Sequence, residues 1–274
     1  MATMIFNSEK HDLELVGVRE MDYLKENSKI WDVKSANENK WSIPVTSEQV
    51  EMARKGEWSI VLTPEKKVPR DWFPKDLKNS KILCLASGGG QQGPILAATG
   101  ADVTVFDYSR TQLEKDESVA KRDGLTIKTV QGNMKDLSVF EDESFDFIFH
   151  PWSNGFIDDV LPVWKECSRV LKKGGILVSG FGNPIENIFD PVKLEQGILV
   201  VENSIPYADI DHLDNPEIKR IAEEDGYIWG HTLEDQIGGQ IAAGFAIVGF
   251  YEDRGGSALD KYIYSSIATK AVKL

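Results

Sequence analysis

Residues Lys81–Gly93 read KILCLASGGGQQG. The apolar run Ile82–Ala86 predicts a short buried strand, and a glycine-rich turn follows it directly. Gly88, Gly89 and Gly90 admit φ values that other residues resist, and without side chains they leave their N–H groups uncovered. A helix starting just beyond aims its positive end at the same spot. Strand, turn and helix together predict a cradle for a nucleotide-like ligand at the carboxyl edge of a parallel sheet. A turn that merely saves space would not need three glycines in a row.

Downstream, the pattern alternates. Pro94 suits the first turn of a helix, where its missing N–H costs nothing, and Gly100 stops that helix. Asp102–Asp107 (DVTVFD) reads as a second strand ending in an acid. Ser109 and Gln112 form a capping box for a helix on which Leu113, Glu117 and Ala120 share one face and which ends at Gly124. Leu125–Val130 and Phe145–Phe149 are the third and fourth strands, leading to Gly132-Asn133-Met134 and to His150-Pro151-Trp152-Ser153-Asn154-Gly155. A helix over Ile157–Leu171, with Leu161, Trp164, Val170 and Leu171 inward, precedes a fifth strand, Ile176–Ser179. Residues 183–231 are an excursion: a hairpin, then an acidic, loop-like piece. Thr232 caps a last helix with Leu233, Ile237 and Ile241 on its inner face. Phe245–Tyr251 and Lys261–Thr269, joined by a short loop, suit an antiparallel pair. The result is an α/β fold, a doubly wound, mostly parallel sheet of seven strands closed by an antiparallel pair. Right-handed crossovers bring Gly88–Gln91, Asp107, Asn133 and His150 to one sheet edge.

Residues 1–80 differ in character. They hold Trp31, Trp41, Trp58 and Trp72, and Pro44, Pro64, Pro69 and Pro74. Helices are expected at Met21–Val33 and Ser47–Lys55, the second capped by Ser47 and stopped by Gly56. This part reads as a helical extension, a lid across the mouth of the domain formed by residues 81–274. A net charge of −13, with no basic run beyond pairs such as Lys66–Lys67, argues against nucleic acid and acidic membrane surfaces. No apolar run is long enough to span a bilayer, and the first residues lack a signal-peptide core. Cys84 and Cys167 make no disulfide framework and suit reduced core positions in the cytoplasm. No metal-ligand cluster is read.

The turn also contains G-x-G-x-x-G at Gly88, Gly90 and Gly93, with Asp107 following 17 residues after Gly90. That pattern alone admits a nicotinamide oxidoreductase. The ordered set resembles the class I S-adenosylmethionine-dependent methyltransferases more closely. The resemblance rests on the glycine turn, Asp107, Gly132-Asn133-Met134, the FDFIF strand, RVLKKGG (Arg169–Gly175), HTLEDQ…AGF (His231–Phe245) and the closing strand pair, and it runs from Lys81 to Leu274. It implies S-adenosyl-L-methionine as cofactor and a small-molecule methyl acceptor, in a monomer or homodimer. By the same resemblance, Ala86, Ser87, Gly88, Gly89, Gly90 and Gln91 approach the methionine part. Asp107 accepts from the ribose hydroxyls, beside Tyr108, Ser109 and Gln112. Gly132, Asn133 and Met134 meet the adenine, with His150 behind.

Two departures stand out: the family usually has an acid where Cys84 stands and a glycine where Ala86 stands. Gln91 and Gln92 are candidates to replace the acid. A missing acid also suits a non-catalytic S-adenosylmethionine-binding protein. Against an oxidoreductase, no Tyr-x-x-x-Lys pair is present. If the acceptor keeps a proton at neutral pH, a base is needed; His150, at a strand tip, is the first candidate and His231 the second. Trp41, Trp152 and Asn154 are candidates for the acceptor pocket.

Overall fold

The computed structural model describes residues 22–37 and 39–274, so the remaining residues of the expected N-terminal extension lie outside the described residues. The strand at the centre is β1, Lys81–Leu85. Ile82 and Cys84 reach one core cluster, Leu83 and Leu85 the other. A strand buried on both faces needs this run of apolar residues, and only the middle of a parallel sheet offers such a place. Around it lie β2 (Asp102–Asp107), β3 (Ile127–Gln131), β4 (Phe145–His150) and β5 (Leu171–Gly182), with β6 (Phe245–Asp253) and β7 (Ser266–Lys273) beyond. The order is β3-β2-β1-β4-β5-β7-β6. The first five strands are parallel; β7 pairs antiparallel with β5 and with β6. The chain moves one way from β1 to β3 and then crosses to β4 on the far side of β1. That reversal opens a crevice at the tips of β1 and β4.

Helices α1 (Tyr23–Ala36) and α2 (Ser47–Arg54) precede the sheet; α3 (Gln92–Ala98), α4 (Arg110–Asp123) and α5 (Leu161–Val170) are its crossovers. On one face, Val50 and Ala53 of α2 join Trp72 and Phe73, and the Phe73 ring lies 5.4 Å from Phe147 and 6.4 Å from Phe149. On the other, Trp164 of α5 is fully buried and donates from Nε1 to Asp235 O at 2.9 Å.

Several local expectations need correction. The cap of α2 is Thr46, not Ser47, and it forms the reciprocal box with Gln49. Helix α5 starts only at Leu161, whose side chain is partly exposed, while β5 takes in Gly174 and Gly175 with an irregularity opposite β4. The excursion holds two helices, α6 (Pro191–Glu195) and α7 (Pro216–Asp225), the latter capped by Asn215 where a loop is expected. The helix expected after Thr232 is a π turn, Glu234–Gly238, running into α8, Gly239–Ala242. It buries Gln236, Gly239 and Gln240 while Leu233 and Ile241 face outward. Gly239 must face in, because a Cβ there would meet Trp164 Cδ1 at 2.7 Å.

The glycine turn is held from inside. Asp107 Oδ2 accepts from Gly88 N at 2.9 Å, and Asp116 Oδ2 accepts from Gly89 N at 3.0 Å and Gly90 N at 3.1 Å. The expectation of uncovered glycine amides is therefore wrong for these three: each is already a donor to a carboxylate. Positive φ at Gly89 and Gly90 makes this geometry accessible. Asp116, on α4, is fully buried, and its Oδ1 has no partner. Burial pushes its carboxyl up to about 8, with Asp107 adding to the rise and the two amides opposing it.

The unfolded chain loses this proton near a pKa of ~3.9, the folded chain only near about 8, so stability attributable to Asp116 falls as pH rises through that window. We expect Asp116→Asn to be more stable than wild type at pH 8 and to lose less on going from pH 5 to 8. The difference should grow by up to ~1.4 kcal/mol per pH unit. Urea unfolding at several pH values measures it; parallel curves for the two chains would contradict the assignment.

Candidate active site

A cavity of about 500 Å³ lies over the tips of β1, β2 and β4. Its floor is Ala86–Gly88 after β1, Phe106–Ser109 at the end of β2, and Gly132–Met134 after β3. Gly132 is required: a Cβ there would lie 2.4 Å from Phe106 Cζ. One wall is Pro151–Ser153 with Phe156 and Ile157; another is Val61–Pro64. The roof comes from α1, through Leu24, Asn27, Ser28, Trp31 and Lys34, and from Asn39–Trp41.

Polar clasps hold the roof. Trp31 meets Phe156 edge-on at 5.4 Å, and Phe156 meets Trp152 at 6.4 Å. Asn27, buried, donates to Phe156 O and Tyr227 O and accepts from Tyr227 N. Lys34 Nζ pairs with Asp225 Oδ1 at 2.6 Å, tying α1 to α7. Tyr23, Asp158 and Lys135 form a further hydrogen-bonded cluster at the start of α1. The segment around Trp41 is tied down by Gln91, which donates to Lys40 O and Ile43 O at 2.9 Å, and by Gln112, which donates to Ser42 Oγ at 2.7 Å.

Most of the residues singled out from sequence meet here. Ala86, Ser87, Gly88, Gln91, Asp107, Tyr108, Ser109, Gln112, Gly132, Asn133, Met134, Trp41 and Trp152 all line the cavity. Gly89 and Gly90 do not; they face the Trp41–Pro44 segment, and Val45 N donates to Gly90 O at 2.9 Å. Ser109 caps α4 by accepting from Gln112 N, but the Gln112 side chain crosses to Ser42 instead of closing a box, and its Oε1 is buried without a partner. Ala86 sits at φ +46, a left-handed backbone.

The histidines fall elsewhere. His150 has no exposed surface and does not line the cavity: Nδ1 lies 3.0 Å from Leu85 O and Nε2 2.6 Å from Asn154 Oδ1. Burial lowers its pKa, against those two contacts. His231 is likewise buried and lowered by burial, with Nε2 3.0 Å from Asn154 O. Asn154 is buried between them and bonds Gln236 at 2.8 Å. Placing these three in the cavity was an error of reach. The strand tip turns His150 into the core behind Pro151, where its nitrogens are already committed.

Asp107 keeps capacity for a ligand. Oδ2 accepts from Gly88 N and Oδ1 from Ser109 N, and each oxygen retains a second lone pair. Burial raises its pKa, opposed by those backbone donors, with Asp32 adding to the rise. Gln91 and Gln92 do not replace the acid absent at Cys84. Gln91 holds the roof, and Gln92 meets Ser87 Oγ at 3.4 Å. Asp116, overlooked in the sequence, binds the turn. Its signal was an acid on the buried stripe of α4, three residues after Leu113 and four before Ala120. Among the described residues no group of His, Cys, Asp and Glu could hold a metal ion, and no helix is long and apolar enough to cross a membrane.

A family model described as a methyltransferase domain matches residues 83–179. A relative from Bacillus subtilis (strain 168), named as the uncharacterized methyltransferase YbaJ, is 56% identical over 249 residues, covering 90% of this chain and 97% of that protein. An S-adenosylmethionine-dependent methyltransferase structure from Mesorhizobium loti aligns with a TM-score of 0.57 at 17% identity, covering 74% of this chain and 95% of that one. The geranyl diphosphate C-methyltransferase of Streptomyces coelicolor A3(2) aligns with a TM-score of 0.58 at 13% identity, over 93% of this chain and 100% of that one. At such identities the two structures speak for the fold. With the sheet order, the cavity at the strand tips and the relative that matches nearly end to end, the chain belongs to the family of S-adenosylmethionine-dependent methyltransferases.

Proposed function

We propose that the cavity holds S-adenosylmethionine on its floor and a small, largely apolar methyl acceptor under the aromatic roof. The observation that carries this is the position of Asp107. It sits at the tip of β2, fixed by Gly88 and Ser109, with free lone pairs at a cavity large enough for such a ligand. A vicinal diol suits a carboxylate with two available acceptors. Asn133 and Met134, which line the cavity, are our candidates for the adenine, and Ala86, Ser87, Gly88 and Gln91 for the methionine end. When bound, the cofactor supplies an electrophilic methyl group on a good leaving group.

The chain's own contribution is placement. Trp31, Trp41, Trp152 and Phe156 make a wall that orients a flat or apolar acceptor and keeps water away. Among the described residues, the ionisable side chains lining the cavity are Lys34, Lys40, Asp107, Tyr108 and Asp225. Lys34 and Asp225 pair with each other, and Asp107 is engaged by the backbone. An acceptor whose nucleophilic lone pair is already free therefore fits this cavity better than one that must surrender a proton in it.

Asp107→Ala should weaken S-adenosylmethionine binding by about 10- to 100-fold, the loss of charge-assisted hydrogen bonds. Calorimetry on a variant with wild-type circular dichroism checks it, and unchanged affinity would end the cofactor placement. Trp152→Ala should raise the acceptor KM by at least about tenfold while the cofactor Kd stays within about twofold. Turnover on a panel of aromatic and apolar acceptors reads this. Equal losses for both ligands would remove Trp152 from the acceptor wall.

A further inference from the structure

The amino-acid tail of S-adenosylmethionine ends in a carboxylate, and enclosing one without donors is costly. A glycine turn can offer its amides to such a group. Here Gly88, Gly89 and Gly90 have already given theirs to Asp107 and Asp116. The polar side chains around the turn are largely spent as well. Gln91 Nε2 donates to Lys40 O and Ile43 O, Gln112 Nε2 to Ser42 Oγ, and the Ser109 hydroxyl to Asp32 Oδ1. The Lys115 ammonium goes to Ser35 O and Ser42 O, and Lys34 to Asp225. Gln92 and Lys40, both on the cavity lining, keep donors uncommitted among the described residues. Gln92 is only 8% exposed; its Oε1 accepts from Ser87 Oγ at 3.4 Å, which leaves Nε2 for the cavity. Lys40 stands opposite, on the roof, with Nζ 4.6 Å from the centre of the Trp41 ring and on no carboxylate. The Trp41 backbone passes directly over the turn, since its carbonyl oxygen would lie 2.9 Å from a Cβ on Gly89. The two donors therefore bracket the turn, one from α3 and one from the segment above it.

We propose that Gln92 and Lys40 form a carboxylate subsite that grips the amino-acid tail of the cofactor from floor and roof, in place of the glycine amides. The inference rests on the cofactor reading above. Gln92 supplies a neutral donor whose position is fixed by burial and by Ser87. Lys40 supplies the charge. Resting on the face of Trp41 steadies its ammonium while leaving N–H groups free to donate. An acceptor with an acidic group of its own is the other source of a carboxylate. The placement favours the cofactor, because both donors stand beside the glycine turn after β1, whereas Trp152 and Phe156 of the acceptor wall follow β4. With Asp107 holding the ribose and this pair holding the tail, the sulfur between them has a set position. The tail also becomes a bridge between α3 and the Asn39–Trp41 segment, so binding it draws roof and floor together.

Calorimetry with three ligands tests this: S-adenosylmethionine, S-adenosylhomocysteine, and methylthioadenosine, which keeps the adenosine and the sulfur but has no amino-acid tail. Lys40→Met should weaken the first two by about fivefold each, and Gln92→Met by about tenfold, while methylthioadenosine stays within about twofold of wild type for both. Lys40 is exposed, so its variant keeps the fold even where Gln92→Met disturbs it. Lys40→Arg should recover most of the lost affinity. Raising salt from about 50 to about 500 mM should weaken S-adenosylhomocysteine binding to wild type and leave Lys40→Met unmoved. Equal losses for all three ligands would make the pair a prop of the cavity and overturn the subsite. So would a rise in acceptor KM with unchanged cofactor Kd, which would give the carboxylate to the acceptor. Wild type binding methylthioadenosine as tightly as S-adenosylhomocysteine would also overturn it while leaving Asp107 and the cofactor in place. If wild type bound none of the three, the cofactor reading would fall first.

Discussion

The turn between β1 and α3 depends on two carboxylates taking three consecutive glycine amides. Asp107 reaches Gly88 from the end of β2, and Asp116 reaches Gly89 and Gly90 from the first half of α4. These contacts cross from one βα unit to the next, so they fix the spacing between β1, β2 and α4 as well as the shape of the turn. They also settle what the turn can present to a ligand. With those amides engaged, the floor of the cavity offers the free lone pairs of Asp107, backbone carbonyls and small side chains. The same arrangement demands glycine at several places for separate reasons. A Cβ on Gly88 would strike Gln112 Cβ at 2.7 Å, and one on Gly93 would strike Val105 Cγ2 at 2.6 Å.

The position of the site follows from topology. β1 carries β2 on one side and β4 on the other, and the chain reverses direction between them. The loops after β1 and β4 therefore diverge, and the gap is closed by chain from elsewhere. In this protein α1 and Asn39–Trp41 come from the N-terminal side, and Asp225 and Ile228 from the excursion between β5 and β6. Each has its own polar anchor: Lys34 to Asp225, Asn27 to Phe156 O, Gln91 to Lys40 O. The roof is thus joined to the floor by directional bonds as well as apolar contact, and its tryptophans are held at set angles above the strand tips.

Much of this was legible in the sequence, for physical reasons that differ by element. Four of the parallel strands were readable as short apolar runs, and β3 (IKTVQ), half-exposed at the sheet edge, by its β-branched Ile127, Thr129 and Val130; short connections leave few ways to arrange them. The boundaries of α5 and β5 were less so. Lys172–Gly175 looks like a helix stop, yet its backbone continues into β5. α7 was missed because its residues are mostly charged; its helix is set by the Asn215 cap and by Ile218 and Ala222 turning inward. In α8 the expected apolar face is outermost because a π turn shifts the register and brings Gln236 and Gln240 to the core. Asp116 escaped notice because an acid on a buried helical stripe has meaning only once its partners, amides some 26 residues earlier, are known.

The buried histidines belong to that same register shift. His150 contacts Asn154, Asn154 contacts Gln236, the Gln236 carbonyl accepts from Gln240, and Gln240 accepts from Thr269 on β7. This chain of polar groups runs through a core that is otherwise apolar, and each member is buried. Such a chain is tolerable only when every link is made, because a broken link leaves a polar atom without water or a partner. Gln236 and Gln240, four residues apart, share one face, and that face is turned inward while Leu233 and Ile241 point out. The loop from Pro151 to Phe156, which carries Trp152 into the cavity, is anchored at its middle by Asn154. The wall that carries Trp152 is thereby tied to β4, β7 and α8 together, and His150, though outside the cavity, helps set where that wall stands.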